Sequence, residues 1–209
     1  GGPELCVKRD DATGLAFGGN KVRQLEYRLA TVQAEGFDCV ITGAATQSNC
    51  CRLVSAGCAQ LGMETYLVLR QAPGERLDQP QGNFLLDYLV GAHVEIVAGP
   101  EQQTTRMRAL AEELRTQGKH PHIFSLSDTP GVALGALGYV KAFLEMVEQF
   151  EQLELHPTAL LTTSGQATQA GLLVASDALG WNLPIWSVNH GRPKPDARPQ
   201  IAAIASRTA

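Results

Sequence analysis

The sequence predicts an α/β protein built on mostly parallel strands. Three observations carry this. Short apolar runs alternate with longer amphipathic ones along the 209 residues, the order that parallel strands joined by right-handed crossovers require. Glycine follows a helical pattern at Gly36, Gly62, Gly91, Gly118 and Gly180, where a left-handed C-cap belongs. No internal repeat, heptad or low-complexity stretch suggests another class.

Taken in order, the apolar run Glu4–Lys8 reads as a strand, and the glycine-rich segment after it leads into a helix over Asn20–Ala34. Cys39–Thr42 is the next strand and Gln47–Leu61 the next helix, closed by Gly62. Strand Thr65–Leu69 precedes helix Gln81–Leu89, and strand His93–Val97 precedes helix Glu101–Thr116. Then come strand His122–Phe124, helix Leu134–Phe150, strand Ala159–Thr162, helix Thr168–Leu179 and strand Ile185–Val188. A last helix begins near Pro199, after the one linker-like stretch, Arg192–Pro199.

Composition narrows the function. The length suits one large domain or two small ones, 44% of the residues are hydrophobic and the net charge is −4, so no basic face is available for nucleic acid or an anionic membrane. The apolar runs read as strand-sized, too short to cross a bilayer. Cys6, Cys39, Cys50, Cys51 and Cys58 are an odd number without zinc-ligand spacing. Most lie in apolar segments, which points to free thiols in a reducing compartment, and no charged region precedes an apolar leader. A cytoplasmic location is the expectation.

In open parallel sheets ligands bind beyond the carboxyl ends of the strands. Three such turns are rich in Gly, Ser, Thr or Asn and run straight into a helix: Gly14–Lys21, Gly43–Asn49 and Thr162–Thr168. No P-loop, no GxGxxG after a strand and no GxSxG elbow is present. Of five lysines, Lys21 alone sits behind a Gly-Gly turn in the first turn of a helix. The positive end of the helix dipole disfavours an ammonium there, and a neutral amine is what Schiff-base chemistry needs; the plainer reading is a solvated first-turn lysine. Ser48 and Asn49, like the Thr163–Thr168 turn, are also ordinary helix caps. Together, an amine, a helix-terminus phosphate cup and a polar Ser-Asn turn fit pyridoxal 5'-phosphate better than any nucleotide.

The residues also carry a resemblance. Lys8-Arg9-Asp10-Asp11, then Gly18-Gly19-Asn20-Lys21-Val22-Arg23 and Leu25-Glu26, with Gln47-Ser48-Asn49, Gly82–Asp87, Gly91-Ala92, Ala133–Tyr139 and Thr168–Gly171, resemble the D-cysteine desulfhydrase and 1-aminocyclopropane-1-carboxylate (ACC) deaminase family of fold-type II pyridoxal-phosphate enzymes. The resemblance implies two three-layer αβα domains with mostly parallel sheets, similar to the tryptophan synthase β subunit. Residues 39–135 would form the small domain, and 1–38 with 136–209 a large cofactor-binding domain incomplete at its C-terminus.

It also implies roles. Lys21 would carry the cofactor as a Schiff base and shuttle the Cα proton of a small amino-acid substrate. Asn49 would bond the cofactor's phenolic oxygen, Ser48, Asn49 and Gln47 would meet substrate, and Ser164, Gly165, Gln166, Ala167 and Thr168 would hold the phosphate. The implied reaction is α,β-elimination giving keto acid, ammonia and sulfide, in a homodimer. The pyridine-nitrogen partner and an active-site tyrosine would lie beyond Ala209.

Five positions depart from the family pattern. Cys50 replaces a His, Gln24 replaces a Lys, Gln166 and Ala167 replace glycines of the phosphate loop, and Pro130 enters the segment before Ala133. Gln24, the altered phosphate loop and the expected missing C-terminal part favour a second reading: a degenerate or truncated member that keeps the fold without catalysis and serves binding or assembly.

Overall fold

The computed structural model describes residues 2–71, 74–163, 166–188 and 197–209. Contacts group the chain into two compact units, Gly1–Val22 with Val32–Phe124, and Arg23–Thr31 with Ser125–Ala209. The helix α1 (Val22–Ala34) contributes to both.

The first unit is a four-stranded parallel sheet in the order β3-β2-β1-β4. Its strands are β1 (Cys39–Thr42), β2 (Glu64–Arg70), β3 (His93–Val97) and β4 (Pro121–Ile123). The helices α2 (Asn49–Gln60), α3 (Gly82–Leu89) and α4 (Pro100–Thr116) connect them. Side chains alternate across β2. Val68, with Cys39 and Ile41 of β1, packs on Leu110, Ala111 and Leu114 of α4, while Leu67 and Leu69 pack on Cys51 of α2 and Phe84 of α3. Two apolar layers on one sheet explain why β1 is buried at every position and reads as a continuous hydrophobic run.

The second unit pairs β5 (Leu160–Thr162) with β6 (Ile185–Ser187) in parallel. Around them lie α5 (Thr129–Gln152), α6 (Ala167–Ala178) and α7 (Arg198–Thr208). Val132, Ala133 and Ala136 of α5 meet Ala167 and Ala170 of α6 and Ile201 and Ile204 of α7. Tyr139, Phe143 and Met146 meet Leu172 and Ala175 further along. Small residues permit this approach. A Cβ on Gly138 would lie within 3.0 Å of the Arg23 carbonyl, and one on Gly171 within 3.0 Å of the Ala136 carbonyl.

The structure changes four expectations. Glu4–Lys8 forms no strand; Leu5 and Val7 are exposed, and an apolar run with no neighbouring strand to bond has nothing to hold it extended. Asp10–Ala12 is a 3-10 turn instead. Helix α5 begins at Thr129, five residues before the expected Leu134. The Asp128 carboxylate caps it by accepting from the Gly131 N–H at 2.7 Å, and Pro130 sits in the first turn, where its missing N–H has no helical partner to lose. The apolar runs are not all strand-sized either: α5 is long and apolar enough to cross a membrane, but half of its apolar stretch is buried, against α6 and α7. Finally, the contacts divide the chain after Phe124, and α5 runs unbroken through 135 and 136. The first 22 residues group with the four-stranded sheet.

Candidate functional site

Lys21 lies half-buried in the turn immediately before α1. The approach to it is unusual. Ala16, Phe17, Gly18 and Gly19 have φ of +43°, +66°, +77° and +141°, a left-handed run that costs of order 1–3 kcal/mol at each non-glycine residue. Gly18 is obligatory, since a Cβ there would collide with the Asp11 and Thr13 carbonyls. Thr13 ties the turn from the other side: its hydroxyl donates to the Gly19 carbonyl and accepts from the Gly19 N–H, both at 2.9 Å.

The strained carbonyls converge on one cation. Arg52, 5% exposed in the buried stretch Cys51–Cys58 of α2, donates from Nη1 to the Ala16 carbonyl and from Nη2 to the Gly18 carbonyl at 2.9 Å. Nη2 also reaches Asn49 Oδ1 at 3.5 Å. Spacing i to i+3 on a helix puts Asn49 and Arg52 on one face.

At the start of α2, Ser48 is the N-cap and its hydroxyl accepts from the Cys51 N–H at 3.2 Å. Asn49 is the first helical residue and is exposed. Asn83 Nδ2 donates to the Gln47 carbonyl at 2.8 Å and to Asn49 Oδ1 at 2.9 Å. Gln47 is spent on structure: its Oε1 accepts from the Asn83 N–H at 3.1 Å, and its Nε2 donates to Glu75 and, at 3.2 Å, to the Gln81 carbonyl. Thr46, fully buried, donates its hydroxyl to the other Glu75 oxygen.

Asp87 of α3 is fully buried, and among the described residues neither carboxylate oxygen has a hydrogen-bond partner. Burial pushes its carboxyl up to about 7, against the opposing pull of the Arg52 charge. Desolvation likewise pushes the Cys51 thiol up to about 12 and Cys58 to about 11, and desolvation with the nearby Asp38 raises Cys39 to about 12. These thiols are inert packing at neutral pH.

The second unit holds the other expected residues. Ser164 and Gly165 lie outside the described residues. Gln166 is the N-cap of α6, with φ −149° and no side-chain cap bond. No left-handed backbone is asked of Gln166, and Ala167 is already helical. Ala167 and Thr168 are buried in the first turn.

Thus the structure brings Lys21, Gln47, Ser48 and Asn49 into one unit and sets Gln166, Ala167 and Thr168 at a helix start in the other. Sequence reasoning gave no role to Arg52, Asn83 or Asp87. A signal existed for Arg52, a lone charge in the apolar run Cys51–Val54 three residues after Asn49.

Comparison with known proteins decides the family. The chain matches the family described as pyridoxal-phosphate dependent enzyme over residues 1–204. It belongs to that family. Within it, the chain is 32% identical to the D-cysteine desulfhydrase of Salmonella typhi over 205 residues, 97% of this chain and 62% of that protein. It is 33% identical to the D-cysteine desulfhydrase of Klebsiella pneumoniae subsp. pneumoniae over 210 residues, all of this chain and 63% of that protein. The crystal structure of an ACC deaminase homologue matches with TM-score 0.80 and 29% identity, covering 96% of this chain and 60% of that one. A threonine deaminase from T.th., at 22% identity and TM-score 0.61, covers 85% of this chain and 51% of that one and shares the fold. The chain therefore spans about three fifths of the length of the curated relatives it matches. The fold is that of the fold-type II pyridoxal-phosphate enzymes, and the family's cofactor is pyridoxal 5'-phosphate.

The residues present suit that cofactor. A ring oxygen needs a donor, and the Asn49 side-chain nitrogen has no partner among the described residues. A phosphate needs converging N–H groups, and α6 starts without a side-chain cap.

Proposed function

We propose that this chain is the lysine-bearing part of a pyridoxal-phosphate-dependent lyase that eliminates a β-thiol from a small amino acid, D-cysteine in the first instance, giving keto acid, ammonia and sulfide. The observation that carries the reading is Lys21 at the end of a strained turn whose anchor, Arg52, also touches Asn49. The names of the relatives support the substrate class.

Bound at a lysine amine, pyridoxal phosphate supplies an electron sink for charge developing at the substrate Cα. Lys21 would hold the cofactor through its amine and would take the Cα proton as general base. Asn49 donates from its side-chain nitrogen to the phenolic oxygen. Ser48, already serving as the α2 cap, presents its hydroxyl to substrate, with Gln47 fixing the backbone beside it. Ser164–Thr168 seat the phosphate. By the same resemblance the assembly is a homodimer, which sedimentation velocity checks.

The test is to add pyridoxal phosphate, record the visible band, reduce with borohydride and map the modified peptide. The expected label is on Lys21, with sulfide released from D-cysteine. Ammonia from ACC without sulfide from D-cysteine would move the substrate. No label on Lys21 would overturn the reading and leave a family fold without the chemistry.

A further inference from the structure

We propose that Arg52 and Asn83 are positioning residues of the cofactor site: together they turn the Asn49 amide nitrogen outward and lock the turn that delivers Lys21. The inference rests on the cofactor reading above and adds residues to which that reading gives no role.

The orientation of Asn49 follows from a chain of donors and acceptors. A main-chain carbonyl can only accept. The Asn83 side-chain atom 2.8 Å from the Gln47 carbonyl is therefore its nitrogen, and the same nitrogen lies 2.9 Å from Asn49. The Asn49 atom facing it must then be the oxygen. A guanidinium has no acceptor, so the Arg52 Nη2 contact at 3.5 Å requires the same assignment. With Oδ1 held from two sides, the Asn49 nitrogen is left to point away, and a nitrogen donor is the group that a phenolic oxygen accepts from.

The second half concerns the turn. Two non-glycine residues at positive φ persist only where surrounding structure fixes them. Here the fixing group is the buried Arg52, whose two terminal nitrogens take the Ala16 and Gly18 carbonyls. Charge-assisted bonds of this kind are roughly twice as strong as neutral ones. Lysine could not replace it, because a point charge cannot span two carbonyls and Asn49 as a planar fork does. Burial lowers the Arg52 guanidinium from its ordinary value, and the Asp87 carboxylate, where ionised, opposes that shift. One side chain therefore sets both the lysine's approach and the ring-oxygen donor.

The test compares Arg52→Lys, Arg52→Met and Asn83→Ala with the wild type on three readouts. Borohydride labelling of Lys21 reports the cofactor reading itself and is expected to survive in all variants. The pH titration of the visible cofactor band reports the Asn49 donor. Its midpoint is expected to move in all three variants, with cofactor affinity falling ~10–100-fold, the equivalent of one charged hydrogen bond. Residue-resolved hydrogen exchange of the cofactor-free protein reports the turn through the Gly18 and Gly19 amides, which are bonded to the Leu15 carbonyl and the Thr13 hydroxyl. Faster exchange there is expected in the Arg52 variants and not in Asn83→Ala. Asn83 is the safeguard against unfolding, being half-buried at the start of α3 and outside the core. An unchanged midpoint in a folded Asn83→Ala and Arg52→Lys, with wild-type exchange at Gly18 and Gly19 in the latter, would overturn the proposal. If the wild type itself takes no label, the cofactor reading fails alone, and the exchange comparison still decides whether Arg52 locks the turn.

Discussion

Helices α2 and α6 start in opposite ways. At α2 the Ser48 hydroxyl caps the first turn, and Asn83 and Arg52 both donate to Asn49 Oδ1. At α6 the N-cap is Gln166 and its side chain caps nothing. The uncapped start offers backbone N–H groups and the positive end of a dipole, which recognise an anion of any identity. The capped start has committed one of those groups, the Cys51 N–H, to Ser48, and beside it Asn49 is held in a fixed orientation. One helix start suits charge and the other suits a donor pattern.

The sharpest way to break this division is at Lys21. On the proposed reading Lys21→Ala removes both the attachment point and the base, and turnover is expected to fall roughly 10³-fold or more, within the range for a positioned general base. Sulfide release under saturating D-cysteine checks it. A variant that keeps wild-type turnover would mean that the side-chain half of the site lies elsewhere.

The next largest effect comes from making α6 resemble α2. Gln166→Asp introduces a good N-cap and a negative charge where phosphate would sit. The cofactor-free protein is expected to gain ~0.5–2 kcal/mol in a urea titration, while affinity for pyridoxal phosphate falls ~10-fold or more from like-charge repulsion. Both signs matter: a gain in stability with unchanged affinity would separate α6 from phosphate binding.

Much of this was legible beforehand, and the gaps have physical causes. Strands and helices follow from periodicity, so β1, β3 and the ends of α1 and α4 agree between expectation and structure. Glu4–Lys8 fails because an apolar run does not show whether a partner strand exists. The start of α5 was missed because Pro130 reads as a break, whereas a proline in the first turn is a start signal once Asp128 is recognised as its cap. In the site, Lys21 and Asn49 stand out by residue type and position. Arg52 and Asn83 act through partners 34 to 36 residues away in sequence, and only the fold reveals such pairings.

A buried charge separates the two sides again. Asp87 is buried in α3 with its carboxyl raised to about 7 by burial, against about 4 for the unfolded chain. A raised folded value means that the native state holds the proton more tightly between those limits. Its contribution to stability is therefore full below pH ~4 and is lost as pH rises toward about 7, where Asp87 ionises. Asp87→Asn is expected to flatten that part of the pH profile in urea titrations from pH 4 to 8. A profile unchanged by the substitution would show that the carboxylate is paired in solution.

The smallest effect separates two jobs of Ser48. As the α2 cap it holds the Cys51 N–H, and Ser48→Ala is expected to cost about 1 kcal/mol, a fall in Tm of about 2–4 °C for a chain of this size. Ser48→Gly costs only a few tenths of a kcal/mol at a cap, because glycine leaves the exposed N–H open to water. The two variants thus differ in stability while both lack the hydroxyl. If Ser48 also meets substrate, kcat/KM falls equally in both and does not track Tm. If capping is its whole role, activity follows stability, and the glycine variant keeps nearly all of it. Equal activity in Ser48→Gly and wild type would therefore return Ser48 to structure alone, leaving Asn49 as the one group by which the α2 start addresses the cofactor.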